Sequence, residues 1–156
     1  MKKFVLFAVA CVALLSCSSE DDICLSGEST PRLKILFKDA TANKQTQLSR
    51  LIIEVDYGSG FVLVQDAVRV DSVLLPLRVD QSSSTQIKLR TDPEQNPSVL
   101  SVHYQTKAQY VSPACGFKRT YHDVTYNLSG EGTVDSFEAL TNEISDETNP
   151  HLYLNF

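Results

Sequence analysis

The sequence predicts an all-β protein, specifically an antiparallel β-sandwich that is immunoglobulin-like in outline and carries one disulfide. Three observations support this fold class. Apolar residues recur at every second position through most of the chain, which is the period of half-buried strands. Turn-forming clusters separate these runs at intervals of about ten residues, and two cysteines remain after an N-terminal export signal. With 156 residues, 42% of them apolar, the chain has room for one domain with a core.

The first predicted strands lie between residues 32 and 65. Two runs there place apolar side chains on one face and mainly charged side chains on the other. The apolar positions are Leu33, Ile35, Phe37, Leu51, Ile53, Val55 and Tyr57. The triplet Gly58-Ser59-Gly60 then predicts a tight hairpin into a strand over 61–65, because glycine adopts the positive φ that such turns need.

Further strands are predicted from the same alternation along the rest of the chain. They cover residues 72–78, 85–90, 100–105, 117–128 and 152–156, with turn clusters at 92–97 and 129–132. Pro76 predicts an edge position or a bulge, because proline cannot donate to a strand ladder. The segment 136–145 fits a capped helix or a strand, and we favour the strand because its neighbours are strands.

Residues 1–16 have the pattern of an export signal. Met1-Lys2-Lys3 is basic, and Phe4–Leu15 is apolar but too short to span a bilayer. Leu14-Leu15-Ser16-Cys17 resembles the lipobox of bacterial lipoproteins, in which the signal is cut before a lipid-modified cysteine. The sequence therefore predicts acyl chains, palmitate among them, on Cys17. The alternative is an ordinary signal peptide with an incidental cysteine.

Cleavage before Cys17 changes the charge of the chain. It removes two lysines and leaves 140 residues with 12 basic and 19 acidic side chains, a net charge of −7. Such a chain lacks the basic balance of non-specific nucleic-acid binders, so we expect no nucleic-acid partner. The lipid, rather than the protein surface, is expected to hold it to a membrane.

Residues 17–23 are predicted to form a short acidic tether, and residues 24–156 the folded domain. Serine rather than aspartate follows Cys17, which resembles the rule that sorts Gram-negative lipoproteins to the outer membrane. The run Glu20-Asp21-Asp22 resembles the surface-export signal of Bacteroidota lipoproteins, although short acidic runs also occur as plain solvated tethers. We expect an outer-membrane location, with either face of that membrane open.

Two cysteines remain in the predicted domain. Cys24 and Cys115 lie 91 residues apart, and an exported compartment is oxidising, so we expect them to form a disulfide. On the chain-entropy model a loop of this length stabilises the fold by about 4–5 kcal/mol. A nucleophilic Cys115 served by His122 is the rival interpretation. It is disfavoured because an oxidisable partner is present and no activating site is apparent.

Several segments together carry a resemblance to a known family. Beside the lipobox and Cys24, they are Thr30-Pro31-Arg32-Leu33, Leu75-Pro76-Leu77, Val111–Phe117 and Leu152–Phe156. They resemble a family of small Bacteroidota lipoproteins described only as a domain of unknown function. The resemblance covers nearly the whole predicted mature chain. It implies a lipoprotein with two cysteines and supplies no activity and no binding residues.

Few residues suggest chemistry. The histidines His103, His122 and His151 lack metal-ligand spacing, and we expect the first and last to face outward, so no metal, cofactor or catalytic residue is predicted. The tripeptide Asp71-Ser72-Val73 resembles the Bacteroidota O-glycosylation signal, which makes Ser72 a possible glycan site. Five tyrosines are expected to serve packing rather than ligand binding. They are Tyr104, Tyr110, Tyr121, Tyr126 and Tyr153.

The function predicted from these features is a non-catalytic binding or structural module, held at the outer membrane by its N-terminal lipid and facing an envelope protein partner. The alternative is an accessory glycan- or nutrient-binding lipoprotein of an outer-membrane uptake system. The absence of tryptophan counts against a sugar platform. A hydrolase is the least favoured interpretation, and the oligomeric state stays open.

Overall fold

The computed structural model describes residues 29–156, and this range contains strands, turns and loops but no helix. The all-β class predicted from the sequence is confirmed. The predicted signal over 1–16, the tether over 17–23 and Cys24 lie outside the described residues. In chain order the strands are β1 (Leu33–Asp39), β2 (Lys44–Gln45), β3 (Leu48–Asp56), β4 (Phe61–Val70), β5 (Ser72–Leu75), β6 (Ser84–Arg90), β7 (Ser98–Ser112), β8 (Gly116–Ser129), β9 (Ser136–Ala139) and β10 (Leu152–Asn155).

The strands form two sheets. One has the order β2-β1-β10-β9, with β5 also paired to β1, and the other has the order β4-β3-β6-β7-β8. The described strand pairs are antiparallel except β1 and β10, which run parallel. The fully antiparallel prediction is therefore wrong for this pair. The parallel pairing arises because the loop over 140–151 reverses the chain after β9. β10 then lies between β9 and β1 and runs in the same direction as β1.

The two sheets share one hydrophobic core, which makes the arrangement sandwich-like. Phe37 of β1 and Leu89 of β6 are fully buried and belong to the same cluster. Tyr104 and Tyr121 pack edge to face in it, with ring centroids 4.9 Å apart. Burying a phenylalanine or leucine side chain completely contributes about 1.5–3 kcal/mol to the free energy of folding. The alternation read from the sequence thus marks the inward faces of both sheets.

Some element boundaries differ from the predicted ones. β4 continues to Val70, beyond the predicted end at residue 65. Its pairing with β3 shifts register between Ile53 and Glu54 of β3. β5 ends at Leu75, because Pro76 cannot extend the ladder. Within 136–145, β9 confirms a strand over four residues, and Ile144 adds an isolated bridge to Tyr121.

One end of the molecule carries a projecting hairpin. The pairing of β6 with β7 stops at Ser84 and His103, whereas β7 and β8 stay paired as far as Ser112 and Gly116. We call residues 105–121 the arm, and this end of the molecule the hairpin end. The β3–β4 turn over 57–60 lies at the same end, because Asp56 pairs with Gln86 near the start of β6.

The opposite end, here the distal end, is formed by the turns over 91–97 and 129–135. Its strands are joined by Leu89↔Ser98 and Val99↔Ser129. β10 finishes there too, since Asp135 N donates a hydrogen bond of 2.8 Å to the Asn155 carbonyl. β1 ends beside it, because Ala40 N donates a hydrogen bond of 2.9 Å to the Phe156 carbonyl. The two ends therefore present different surfaces.

Candidate functional site

The arm exposes two aromatic rings side by side. Tyr110 and Phe117 are direct cross-strand partners, and their rings pack in a T-shaped arrangement with centroids 5.4 Å apart. Tyr110 is 56% exposed and Phe117 is 70% exposed. An exposed pair of packed aromatic rings makes the arm a candidate contact surface.

The arm also carries a positive net charge within an acidic protein. It contains Lys107, Lys118 and Arg119 and no aspartate or glutamate. The predicted mature chain as a whole has a net charge of −7. An aromatic pair flanked by basic side chains suits an anionic or interfacial partner better than an apolar one.

Thr30, near the start of the described residues, contacts the arm. The backbone amide of Arg119 donates a hydrogen bond of 3.0 Å to Thr30 Oγ1. Cys115 lies in the turn at the tip of the arm, where its amide donates a hydrogen bond of 3.1 Å to Ser112 Oγ. Cys17 and Cys24 lie outside the described residues, so the lipid and the disulfide stay predictions.

His151 is buried, which makes the prediction of an outward face wrong for this residue. It is 4% exposed, and its Nδ1 accepts a hydrogen bond of 2.9 Å from the Lys34 amide. The Nε2 atom lies 3.0 Å from the Asp146 carbonyl oxygen. The reason is the loop over 140–151, which covers the position. Burial lowers the pKa of His151 below its usual value.

The other two histidines are more open. His103 is exposed on β7, as predicted. His122 Nε2 lies 3.0 Å from Thr120 Oγ1, and its Nδ1 lies 3.7 Å from a Glu143 carboxylate oxygen. Within residues 29–156, no three His, Cys, Asp or Glu side chains are grouped so that they could hold a metal ion.

The surface cavities of residues 29–156 include two that lie beside loops. One, of about 430 Å³, lies against the loop over 140–151 and is lined mainly by polar residues that include Thr141, Glu143 and Asn149. The other, of about 380 Å³, has Tyr57, Arg78 and Asp80 in its lining. Both volumes fall in the range of small-ligand sites.

The second cavity combines the Tyr57 ring with an ion pair between Arg78 and Asp80. Arg78 bonds to Asp80 through Nη2–Oδ2 at 2.5 Å and Nε–Oδ1 at 3.2 Å. Tyr57 Oη donates to the Pro76 carbonyl at 3.3 Å. Gly58, with φ +107°, leaves room for the Arg78 guanidinium, which a Cβ atom there would meet at 2.8 Å. Sequence patterns did not single out this group, because the turn and the β5–β6 connection are far apart in the chain.

Ser72 is exposed at the start of β5, where the sequence placed it. Its hydroxyl donates a hydrogen bond of 3.0 Å to Asp71 Oδ1, and Val73 beside it is buried. Among the tyrosines, Tyr104 and Tyr121 confirm the packing expectation. The exposed Tyr110 does not, and the lack of acidic residues around it is the signal that could have drawn attention to the arm.

A family model described as a family of unknown function (DUF6452) matches residues 38–156. The chain belongs to this family. The DUF6452 match extends from the end of β1 to the C-terminal residue and includes the arm and both cavities. No curated protein and no solved structure matches the chain. Across residues 29–156, no helix is long and apolar enough to cross a membrane.

Proposed function

We propose that this DUF6452 protein is a lipid-anchored protein of the bacterial outer membrane, of the Bacteroidota type, whose immunoglobulin-like sandwich is a non-catalytic binding or structural module. The lipobox at residues 14–17 carries the proposal. The hydrogen bond between Thr30 and Arg119 bears on its orientation, because it holds the start of the described residues against the hairpin end.

The proposed disulfide between Cys24 and Cys115 is supported by the path of the chain. Cys24 lies six residues before Thr30, and Cys115 lies four residues before Arg119. Both cysteines are therefore only a few residues from two residues that are hydrogen-bonded to each other. From Cys17 to Cys24 the tether spans at most about 25 Å. The hairpin end would thus lie close to the bilayer.

With the hairpin end at the membrane, the distal end faces away from it and is free to meet a partner. The distal end is acidic. Its exposed carboxylates belong to Asp39, Asp92, Glu94, Glu131 and Asp135. We expect the partner to be an envelope protein with a basic surface, since charge complementarity steers association.

Acylation of Cys17 tests the anchor. The intact mass of the protein purified from membranes of a native host should show acyl chains on Cys17, and Cys17→Ala should leave it unmodified. Ser18→Ala is the matched control and should remain acylated. An unmodified wild-type Cys17, or a Cys17→Ala variant that still fractionates as a lipoprotein, overturns the proposal.

A second candidate function, an accessory glycan-binding lipoprotein of an uptake system, is favoured by the cavity at Tyr57. A tyrosine ring can stack on a sugar, and the neighbouring Arg78–Asp80 pair can bond to its hydroxyls. A glycan array with wild type, Tyr57→Ala and the control Tyr153→Ala tests it. Sugar binding lost only in Tyr57→Ala supports this function, and no binding by wild type removes it.

A further inference from the structure

We propose that the exposed pair Tyr110 and Phe117 is a second membrane contact, which inserts into the headgroup region of the bilayer that holds the lipid anchor. This contact rests on the proposed anchor at Cys17 and adds an orientation to it. The occupant of the aromatic surface is a phospholipid bilayer rather than a protein.

The shape of the pair suits a lipid interface. The two rings lie on one face of the arm, next to its terminal turn, and they are among the most exposed large apolar side chains of residues 29–156. Aromatic rings concentrate at the boundary between hydrocarbon and water, where the ring is shielded and a tyrosine hydroxyl still reaches polar groups. β7 and β8 stay paired to Ser112 and Gly116 apart from a register shift between Tyr110 and Ser112. Most of the arm's backbone is therefore hydrogen-bonded internally, and the headgroup layer still holds water for the groups of the terminal turn.

The charge of the arm agrees with this position. Lys107 and Arg119 flank the rings, and residues 105–121 contain no carboxylate to be repelled by lipid phosphates. Exposed carboxylates do occur at the hairpin end, among them Glu143 and Asp146, but their loop meets the arm at its base. Ile144 of that loop bridges to Tyr121, which lies four residues along β8 from Phe117. Basic side chains within a Debye length of a phosphate surface are attracted to it, and acidic ones beyond that length are screened.

The length of the chain outside the described residues places the arm on the lipid side. Thr30 is bonded to Arg119, which is two residues from Phe117. Cys17 is 13 residues before Thr30, a span of at most about 45 Å. The proposed bridge to Cys115 shortens that path to about 25 Å. From His103 to Tyr110 the arm itself reaches about 23 Å beyond the last pair with β6.

The absence of tryptophan from the chain allows a direct test. Phe117→Trp places the sole indole on the arm, and the control Val68→Trp places it on β4, where Val68 is 66% exposed. Both variants would be purified as full acylated chains and reconstituted into phosphatidylethanolamine–phosphatidylglycerol vesicles, with and without brominated acyl chains. Circular dichroism and thermal unfolding would first establish that both are folded.

We expect the Phe117→Trp emission to shift to shorter wavelength in vesicles and its quenching by brominated lipid to be at least about twofold stronger than that of Val68→Trp. Equal quenching of the two variants overturns the contact. The contact is also overturned if vesicles leave the Phe117→Trp emission unchanged and only an added outer-membrane protein fraction shifts it, because the arm then binds protein. Intact mass of the same samples reports acylation separately, so failure of the anchor is distinguished from failure of the arm.

Discussion

Arg32 and Glu147 form a two-point ion pair across 115 positions of the chain, with Nε–Oε1 at 2.9 Å and Nη2–Oε2 at 2.8 Å. The backbone amide of Arg32 donates to the same Oε1 atom. Lys34 Nζ bonds to the Glu147 and Thr148 carbonyls alongside. Together these contacts hold the loop over 140–151 against the start of β1, and the loop in turn buries His151.

Replacing Glu147 by glutamine should lower the free energy of unfolding at pH 7 by about 1 kcal/mol, because the pair is partly exposed to solvent. The hydrogen bond from Arg32 lowers the pKa of Glu147 from 4.5 to about 2. This contribution is therefore complete above pH 4.5 and is lost as pH falls towards 2. Urea unfolding at pH 7 and pH 3 should show a smaller difference from wild type at pH 3. The exposed Glu131→Gln variant is the control, and an unchanged difference would contradict the assignment.

His151 should make the fold sensitive to mild acid. Burial lowers its pKa from 6.5, so the unfolded chain binds the proton more readily than the folded one. Stability should fall as pH drops below 6.5. Lys34, Asp146 and Glu147 are the charged groups that act on the ring. His151→Gln should lower stability at pH 7.5 but flatten its decline between pH 7.5 and 5, measured by thermal unfolding. The control His103→Gln, at an exposed position, should lose stability with falling pH as steeply as wild type. If His151→Gln does so too, other groups cause the loss of stability in acid.

The outcome for His151 shows where prediction from sequence reaches its limit. Alternation predicted β1 and most other strands, because the pleat places every second residue on the same face. His151 lies one residue before β10, and its burial depends on a loop held by a contact to the distant Arg32. No local pattern encodes a contact over that separation.

The arm likewise has one feature that local sequence could predict and one that it could not. The turn around Cys115 was predictable, since Pro113 and Gly116 are local turn residues, and Gly116 does adopt φ +68°. The aromatic pair was not, because Tyr110 and Phe117 meet only through the register of β7 with β8. That register shifts twice, between His103 and Gln105 and between Tyr110 and Ser112, and alternation alone does not reveal such shifts.

Gly132 should tolerate no side chain. A Cβ atom there would overlap the Ser98 amide and side chain and lie 2.6 Å from the Pro97 carbonyl carbon. The Ser98 hydroxyl also accepts a hydrogen bond of 3.0 Å from the Val134 amide, so moving it breaks a second contact. Gly132→Ala should cost about 3 kcal/mol or more in urea unfolding. Gly116→Ala meets no atom within 4 Å and should cost only about 1 kcal/mol for its positive φ. Equal losses would contradict the crowding at Gly132.

β5 offers a neighbouring pair that tests the inward face. Leu75 is 0% exposed, whereas Leu74 beside it is 36% exposed. Leu75→Ala should lower the free energy of unfolding by about 2–5 kcal/mol through lost burial and the cavity left behind. Leu74→Ala should lower it by about 1 kcal/mol or less, since half-exposed side chains lose little burial on truncation. Chemical denaturation measures both, and comparable losses would mean that β5 does not present Leu75 to the shared core.

The proposed disulfide between Cys24 and Cys115 can be tested by chemical labelling of the two thiols, without an assay of function. In the exported protein, an alkylating reagent added under denaturing conditions should label neither cysteine until a reductant is present, as read by peptide mass. Reduction, or the double change Cys24→Ala and Cys115→Ala, should lower stability by up to about 4–5 kcal/mol, because the unfolded chain regains the freedom of a 91-residue loop. Ser112→Ala, which removes only the hydroxyl that bonds to the Cys115 amide, is the control and should cost about 1 kcal/mol. Labelling of both cysteines without reductant would remove the bridge and lengthen the path from the lipid to the arm, while leaving acylation of Cys17 to its own test.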